Sequence, residues 1–250
     1  MHRGCKIQYS CFGKILSTGP VYSRLLFFTF VSIVFSCVSP SQAAEEGPKD
    51  RRPPPPDYFP LRYKYWWKYQ SKTMEGKISG FVLKDIHDNK QTDGSIWHEL
   101  ETIPDVGMHI HDWYSKGDGQ VINHKETYGD KMQANFLPPK HYLNNPLIDG
   151  DKWEWDGKGM MAMPVSEIDT VTGPEEVVVA AGTFKAMKVE TVVTQGGMPV
   201  KKTYLYAPNI GLVKSRTISG TTISNTELMQ YEFPKLEPDE LEAELSRVIQ

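Results

Sequence analysis

The sequence predicts a mainly β fold, in which an antiparallel sheet curves into a half-barrel or flattened barrel and a short helix follows at the C-terminus. Apolar and polar side chains alternate through the second half of the chain, which is the pattern of half-buried strands. Turns rich in glycine, proline and asparagine separate these stretches and favour hairpins. Because the connections are short, the strands form an antiparallel meander, and a doubly wound parallel sheet is excluded.

The N-terminus has the three parts of a secretory signal. Four basic residues and no acidic residue precede the apolar run Leu25–Val38, and small residues follow it. A membrane-spanning helix needs roughly 20 apolar residues, so this run is too short to be one. We therefore expect export to the periplasm or the extracellular space, with cleavage after Ala43 slightly favoured over Ala44.

A second processing route depends on Cys37. The residues Val-Phe-Ser-Cys at 34–37 loosely resemble the lipobox of bacterial lipoproteins, in which the cysteine carries the lipid. Lipidation there would anchor the protein to a membrane. Cys5 and Cys11 also precede the cleavage point, so the chain cleaved after Ala43 has no disulfide, no thiolate metal ligand and no cysteine nucleophile.

The net charge becomes more negative when the signal is removed. The full sequence has 28 basic and 31 acidic residues, a net charge of −3. Residues 1–43 contain four basic and no acidic residues, so the cleaved chain has 24 basic and 31 acidic residues, a net charge of −7. A binder of nucleic acid or of anionic membranes needs a basic face. We therefore expect no nucleic-acid partner, and a membrane contact only through a lipid on Cys37.

The chain divides into four segments. The signal peptide occupies residues 1–43, and a proline-rich spacer with four consecutive prolines occupies 44–57. Such a run adopts a stiff, extended polyproline II conformation. One antiparallel β domain follows at 58–234, and an acidic amphipathic tail at 235–250 contains the helix predicted at Pro238–Ile249.

Aromatic residues dominate the start of the β domain. The aromatic side chains at positions 63, 65, 67 and 69 fall on one face of a strand, because the side-chain period of a strand is two. This stripe is expected either to pack in the core or to form a platform for a ligand. Two further strands are predicted at Phe81–Ile86 and Ser95–Leu100.

The second half of the domain contains the clearest strands. Gly196 and Gly197 supply the positive φ angles that a tight hairpin turn needs. The signal is weaker between Pro138 and Gly173, where one strand is predicted around Trp153–Trp155. The remaining predicted strands are Glu176–Ala180, Thr183–Thr194, Val200–Tyr206, Leu212–Ile218 and Glu227–Phe233.

Three segments resemble a pattern found in exported bacterial proteins of mostly unknown function: Tyr58–Leu61, Val179–Glu190 and Tyr204–Lys214. Those proteins resemble the half-barrel of the Lol-type lipoprotein carriers, and the resemblance implies a curved sheet that can hold an acyl chain. Three features depart from the pattern: Ala180 stands where proline is usual, Asn209 replaces a glycine, and an early Gly-x-x-Trp is here Arg62-Tyr-Lys-Tyr-Trp. Asparagine tolerates the left-handed conformation, so the turn at Asn209 is expected to persist.

A second group of residues is a candidate ligand site. Methionines at 160, 161 and 163 lie close in sequence to two tryptophans and provide adaptable apolar surface. This surface could line a cleft for a lipid or could fill a closed core. The candidate ligand-binding residues are Tyr65, Trp67, Trp153, Trp155, Met161 and Met163.

A weak metal signal lies at His109 and His111. On a strand these two side chains share a face about 6.5–7 Å apart, and Asp112 points the other way. A third ligand would have to come from His98 or His124. The alternative is that both histidines are exposed residues of an ordinary domain.

No catalytic motif is recognisable in the sequence, and no catalytic residue or cofactor is predicted. We expect a non-enzymatic binding or carrier module for an apolar ligand, such as a lipid or acyl chain, or for an envelope partner protein. Two alternatives remain. One is a metal-dependent enzyme or metal-binding protein that uses His109 and His111, and the other is a structural protein of the cell envelope.

Overall fold

The structure, a computed structural model, describes residues 53–235, Glu237 and Glu240. Within this part of the chain no helix is long and apolar enough to cross a membrane. A three-residue 3-10 turn lies at Met160–Ala162. The strands are β1 (Trp66–Thr73), β2 (Ile78–Lys90), β3 (Ile96–Pro104), β4 (Ile110–Gly117), β5 (Gln120–Tyr128), β6 (Met132–Asn144), β7 (Lys152–Lys158), β8 (Pro164–Val179), β9 (Gly182–Gln195), β10 (Met198–Ala207), β11 (Gly211–Ser219) and β12 (Thr222–Glu232).

The twelve strands form a closed antiparallel barrel in which each strand pairs with its neighbours in sequence. The barrel closes where β1 pairs with β12, from Trp66 opposite Glu232 to Thr73 opposite Ser224. The predicted half-barrel or flattened barrel with a C-terminal helix is therefore wrong. Alternation along a strand is the same in an open and a closed sheet, so it cannot reveal this closing pair. The helix predicted at Pro238–Ile249 lies, apart from Glu240, outside the described residues.

The strand pattern of the first half also differs from the prediction. β1 begins at Trp66, and Lys64 has a φ of 70°, so the aromatic stripe is interrupted by a turn between Tyr63 and Tyr65. Strands β4, β5 and β6 were not predicted, apart from the placement of His109 and His111 on a strand. They carry many polar side chains that face the interior, and this weakens the alternation signal that marks a half-buried strand.

The tight turns agree with the sequence more closely. β9 and β10 are joined at Gly196 and Gly197, whose φ angles are 56° and 82°, as the predicted hairpin requires. Asn209 has a φ of 61° between β10 and β11 and holds the left-handed turn without glycine.

Because neighbouring strands are antiparallel, successive turns lie alternately at the two ends of the barrel. The terminal end is the one at which the chain enters β1 and leaves β12, and the mouth end is opposite. The terminal end carries the turns at 91–95, 118–119, 145–151, 180–181 and 208–210. The mouth end carries the turns at 74–77, 105–109, 129–131, 159–163, 196–197 and 220–221.

Large aromatic side chains fill the middle of the barrel. A barrel of eight strands is just wide enough for ordinary side chains to fill, so a barrel of twelve needs larger ones or encloses space. Tyr114, Tyr142, Tyr204 and Tyr206 occupy this interior, and Tyr206 is among the largest fully buried side chains. A second apolar cluster forms where the end of the β8–β9 hairpin meets β12, with the Ala181 N–H donating to the Leu228 carbonyl (3.2 Å).

The terminal end is covered by the N-terminal strap, residues 57–61. Asp57 fixes this strap: its Oδ1 accepts bonds from the Phe59 N–H (3.0 Å) and the Asn145 amide (2.8 Å), and its Oδ2 accepts one from Lys116 (2.6 Å). The Phe59 ring then packs at 5.0 Å from the ring of Tyr114, inside the barrel. The strap closes one end of the lumen.

Replacing Asp57 by alanine is expected to lower the free energy of unfolding by about 1–3 kcal/mol, because three donors lose their shared acceptor. The measurement is urea unfolding of the chain that begins after the signal. Glu176→Ala is the control, since Glu176 is an exposed acid on β8 and its loss is expected to change stability by no more than about 0.5 kcal/mol. Equal stability of the two variants would contradict the role given to Asp57.

Candidate lumenal binding site

Under the N-terminal strap lies an apolar cavity of about 200 Å³. Its wall is built mainly by aromatic and aliphatic side chains that point inward from β1, β2 and β3, including Trp67, Tyr69, Phe81, Leu83 and Leu100. Residues two apart on a strand, such as Trp67 and Tyr69 or Phe81 and Leu83, lie on the same face, and here that face is the inner one. This part of the lumen suits an apolar group.

A polar chamber of about 340 Å³ lies on the side of the mouth end. Ionisable side chains enter it from five strands, and aromatic rings such as Phe136 and Trp155 complete the wall. The ionisable residues that line it include Asp112 on β4, Glu126 on β5, Lys140 on β6, Glu167 on β8 and Lys202 on β10.

The two cavities adjoin at the middle of the barrel. Asp112, Tyr114 and Tyr142 line both of them. The lumen therefore changes from apolar to polar along its length, and a carboxylate lies at the change. A molecule with an apolar part and a polar end matches this arrangement.

The lumen contains more carboxylates than ammonium groups. Lys140 forms an ion pair with Glu167 at 2.7 Å, and both side chains are mostly buried. Within the described residues, Asp112, Glu126 and Asp169 have no Lys, Arg or His nitrogen within 4.0 Å.

The carboxyl of Asp112 is held in a low-dielectric environment. Burial raises its pKa to about 7, and the neighbouring charge of Glu126 contributes to the increase. A bond from the Asn123 amide to Oδ1 (3.3 Å) and the charge of Lys140 act in the opposite direction. Asp112 is thus a carboxylate that a proton or another cation would stabilise.

Asp169 has a similar environment deeper in the wall. Its side chain is almost fully buried, and burial together with the charge of Glu167 raises its pKa to about 7. The Thr191 hydroxyl donates to Oδ1 at 2.5 Å, and Lys140 and Lys202 also favour the charged form. These favourable contacts only partly offset the burial.

The tyrosines between the cavities remain protonated at neutral pH. Burial raises the pKa of Tyr114, Tyr142, Tyr204 and Tyr206 above the ordinary value for tyrosine. Their hydroxyls are therefore hydrogen-bond donors as well as acceptors in the lumen.

Two of the six candidate ligand residues line the lumenal cavities. Trp67 lies in the wall of the apolar cavity, and Trp155 lies in the wall of the polar chamber, where its Nε1 donates to the Pro138 carbonyl (3.2 Å). Trp153 packs in the core, and its ring is 5.5 Å from that of His141. Tyr65 stacks on Phe233 at 4.3 Å, Met161 is exposed in a mouth-end turn, and Met163 is half-buried after it.

The candidate metal ligands each contact a carboxylate. His109 Nδ1 lies 2.8 Å from Glu101 Oε1, and His111 Nδ1 lies 2.9 Å from Glu99 Oε1. Because Asp112 lines the lumen, alternation puts His111 on the outer face of β4. The structure brings neither expected third ligand to them: His98 bonds Asp88 (2.6 Å) and His124 bonds Ser115 (2.7 Å). The two-histidine metal site stays a prediction.

Another group of metal-ligating type was missed by the sequence reasoning. One possible ligand atom from each of Asp85, Asp88 and His98 lies within 4.8 Å of the other two. Among the described residues, these three side chains form a cluster that could hold a metal ion. The register explains it, since Asp88 lies opposite His98 across β2 and β3.

The sequence reasoning also missed the ionisable residues of the lumen. Glu167 and Asp169 alternate with Ser166, Ile168 and Thr170 on β8, and two acids on one strand face are usually solvated. Period two places the members of such a set on one face but does not say whether that face is inside the barrel. The one sequence signal that this face of β8 is interior was the apolar Val171, which shares the face with Glu167 and Asp169 and is fully buried.

No known protein family and no curated protein matches the chain. Similar solved structures include a candidate exported protein with a YmcC-like fold from Bacteroides fragilis, with 15% identity and a TM-score of 0.48, covering 71% of this chain and 100% of that chain. A candidate lipoprotein from Parabacteroides distasonis has 13% identity and a TM-score of 0.47, covering 71% and 99% of the two chains. The hypothetical lipoprotein YmcC from Escherichia coli has 12% identity and a TM-score of 0.35, covering 68% and 86%.

The three similar proteins are described as exported or as lipoproteins, without a stated activity, and none is described as a Lol-type carrier. The half-barrel that the Lol-type resemblance implied is replaced by the closed barrel. At these identities and TM-scores, the similarity carries no function to this chain.

Proposed function

We propose that this chain is an exported, non-enzymatic module that binds a small molecule with an apolar part inside its barrel. The signal-like residues before Ala44 support the exported part of the proposal. One observation supports the binding part above all: the apolar cavity and the polar chamber adjoin inside one closed barrel.

The size and the chemistry of the lumen fit this proposal. Sites for small molecules are concave, mostly apolar and roughly 300–1,000 Å³ in volume, with a few polar groups that fix orientation. The apolar cavity alone, about 200 Å³, is below this range, and the chamber of about 340 Å³ extends it. An acyl or alkyl chain in the apolar cavity would gain about 25 cal/mol for each Å² of apolar surface removed from water.

The two ends of the barrel give the ligand a direction. The N-terminal strap covers the terminal end, with Phe59 packed on Tyr114 and Tyr142. We therefore place the ligand's polar end in the chamber near the mouth end and its apolar end under the strap.

Filling the apolar cavity tests the proposal. Leu83→Trp is expected to weaken binding of a lipophilic fluorescent dye at least about tenfold, since the larger ring occupies the space that the apolar group needs. Val192→Trp is the matched control, because Val192 is 43% exposed on β9 and its side chain does not line the lumenal cavities. Circular dichroism checks that both variants are folded.

Native mass spectrometry of the wild-type protein, extracted gently from cells, is the second measurement. We expect a co-purifying molecule with an acyl or alkyl chain. A wild-type protein that carries no such molecule and binds no dye would refute the proposal, as would dye binding that Leu83→Trp leaves unchanged.

A further inference from the structure

We infer that the polar end of the ligand carries a positive charge and that Asp112 and Glu126 bind it. This inference rests on the proposed function and adds the ligand class to it. Asp112 lies opposite Glu126 in the register of β4 and β5, and both side chains line the polar chamber. Like charges directly opposite each other on one face destabilise a sheet, so an unoccupied pair of this kind is unfavourable.

The protein supplies no close counter-ion to this pair. Within the described part of the chain, no cationic side-chain nitrogen lies within 4.0 Å of either carboxylate. Lys140 faces Asp112 from β6, but its Nζ is bonded to Glu167 at 2.7 Å. The other polar groups around the pair are the amide of Asn123 and the hydroxyls of Tyr114, Tyr128 and Tyr142, none of which is cationic. A cation from outside would relieve the repulsion.

The walls of the chamber suit an organic cation. The rings of Tyr114, Tyr128 and Phe136 line it, and those of Tyr142 and Trp155 already face the Lys140 ammonium at 5.7 and 5.9 Å. The face of an aromatic ring attracts an ammonium group, and the attraction is stronger in a desolvated site. An alkylammonium group can place its charge near the Asp112–Glu126 pair while its chain extends past Tyr114 into the apolar cavity.

The opposite ligand class would use the lysines. An anionic amphiphile, such as a fatty acid, would have to bind Lys140 or Lys202, and four carboxylates face the same space or its wall: Asp112, Glu126, Glu167 and Asp169. Lys140 already pairs with Glu167, whereas Lys202 forms no ion pair within the described residues. The chamber lining still contains three carboxylates against two ammonium groups, and this balance disfavours an anion. Ligands that share one alkyl chain and carry a cationic, a neutral or an anionic head group therefore distinguish a cationic from an anionic ligand class.

The test measures the binding of dodecyltrimethylammonium, dodecanol and dodecanoate to the wild-type protein by displacement of the dye at pH 8. We expect the ammonium compound to bind at least about tenfold more tightly than the alcohol, a difference of about 1.4 kcal/mol. The advantage should largely disappear at pH 5, because the raised pKa of Asp112, about 7, leaves its carboxyl protonated there.

Variants identify the residues. Asp112→Asn and, separately, Glu126→Gln should reduce the advantage of the ammonium compound several-fold at pH 8 and leave dodecanol binding within about twofold of wild type. Glu154→Gln, an exposed acid on β7, is the control and should change none of the three affinities. Two separate lumenal variants keep the test valid if one of them fails to fold.

The outcomes distinguish this inference from the function on which it rests. Equal binding of all three compounds, or tightest binding of dodecanoate, would refute the positively charged head group and leave the carrier proposal standing. Binding of none of them, together with no dye binding, would refute both. An ammonium preference that survives in both Asp112→Asn and Glu126→Gln would refute the assigned residues.

Discussion

Replacing Trp67 by alanine is expected to lower the free energy of unfolding by about 3–5 kcal/mol, the range for deleting a buried large aromatic side chain. Trp67 is 3% exposed and lies on β1, the strand that closes the barrel. Its ring packs on Phe233 at 5.5 Å, just after β12. Its Nε1 donates to the Ile210 carbonyl (2.7 Å), which connects β1 to the turn before β11. One side chain therefore contacts both sides of the closure.

Two variants separate the contributions of Trp67. Trp67→Phe keeps most of the apolar surface and loses the bond to Ile210, so a cost of about 1–3 kcal/mol is expected. Trp66→Ala is the neighbouring control: Trp66 is only half-buried, and its Nε1 bonds the exposed Glu232 at 3.2 Å. Urea unfolding measures all three variants. A loss below about 1 kcal/mol for Trp67→Ala would show that the closure does not depend on this residue.

The local features of this barrel could be predicted from the sequence because they depend on neighbouring residues. The hairpin at Gly196–Gly197 needs two positive φ angles, and the residue types state this directly. The closing pair of β1 and β12 joins residues such as Trp67 and Tyr231, which are far apart in sequence. No local pattern specifies that partner, so a curved open sheet was as consistent with the alternation as a closed barrel.

Fewer of the residues that line the lumenal site could be predicted from the sequence. The sequence placed Asp112 on the strand face opposite His111, and the structure does the same. Whether that face pointed to solvent or to the interior could not be read, because a polar residue is ordinarily outside. Trp155 was a candidate because it lies close in sequence to Trp153 and to a methionine-rich stretch. Its partners in the structure, Glu167 across the strand pair and Lys140 at 5.9 Å from its ring, were not grouped with it. A binding site inside a barrel brings together side chains that belong to many separate strands.

Replacing Asp169 by asparagine is expected to stabilise the protein at neutral and alkaline pH. Asp169 is 2% exposed, its Oδ1 accepts the Thr191 hydroxyl, and its Oδ2 has no hydrogen-bond partner among the described residues. A buried carboxylate in this position is costly when it is charged. Asparagine keeps an acceptor for Thr191 and removes the charge that repels Glu167.

The pH dependence follows from the sign of the shift. Burial raises the pKa of Asp169 from 3.8 to about 7, so the folded state binds a proton more tightly than the unfolded state does. Between about pH 4 and pH 7 the folded wild-type protein retains a proton that the unfolded chain has lost, and stability falls as pH rises through that window, by up to about 1.4 kcal/mol per pH unit.

The difference between Asp169→Asn and wild type isolates this contribution from every other titrating group. The variant should be more stable by about 2–4 kcal/mol at pH 8, and the gap should shrink towards zero as the pH falls to about 4. Asp156→Asn, at an exposed position of β7, should follow the wild-type curve at every pH. Urea unfolding of the three proteins across this pH range makes the comparison. A gap that does not change with pH would mean that Asp169 is not the group that takes up the proton on folding. A variant less stable than wild type at pH 8 would mean that its charge is already compensated in the wall of the lumen.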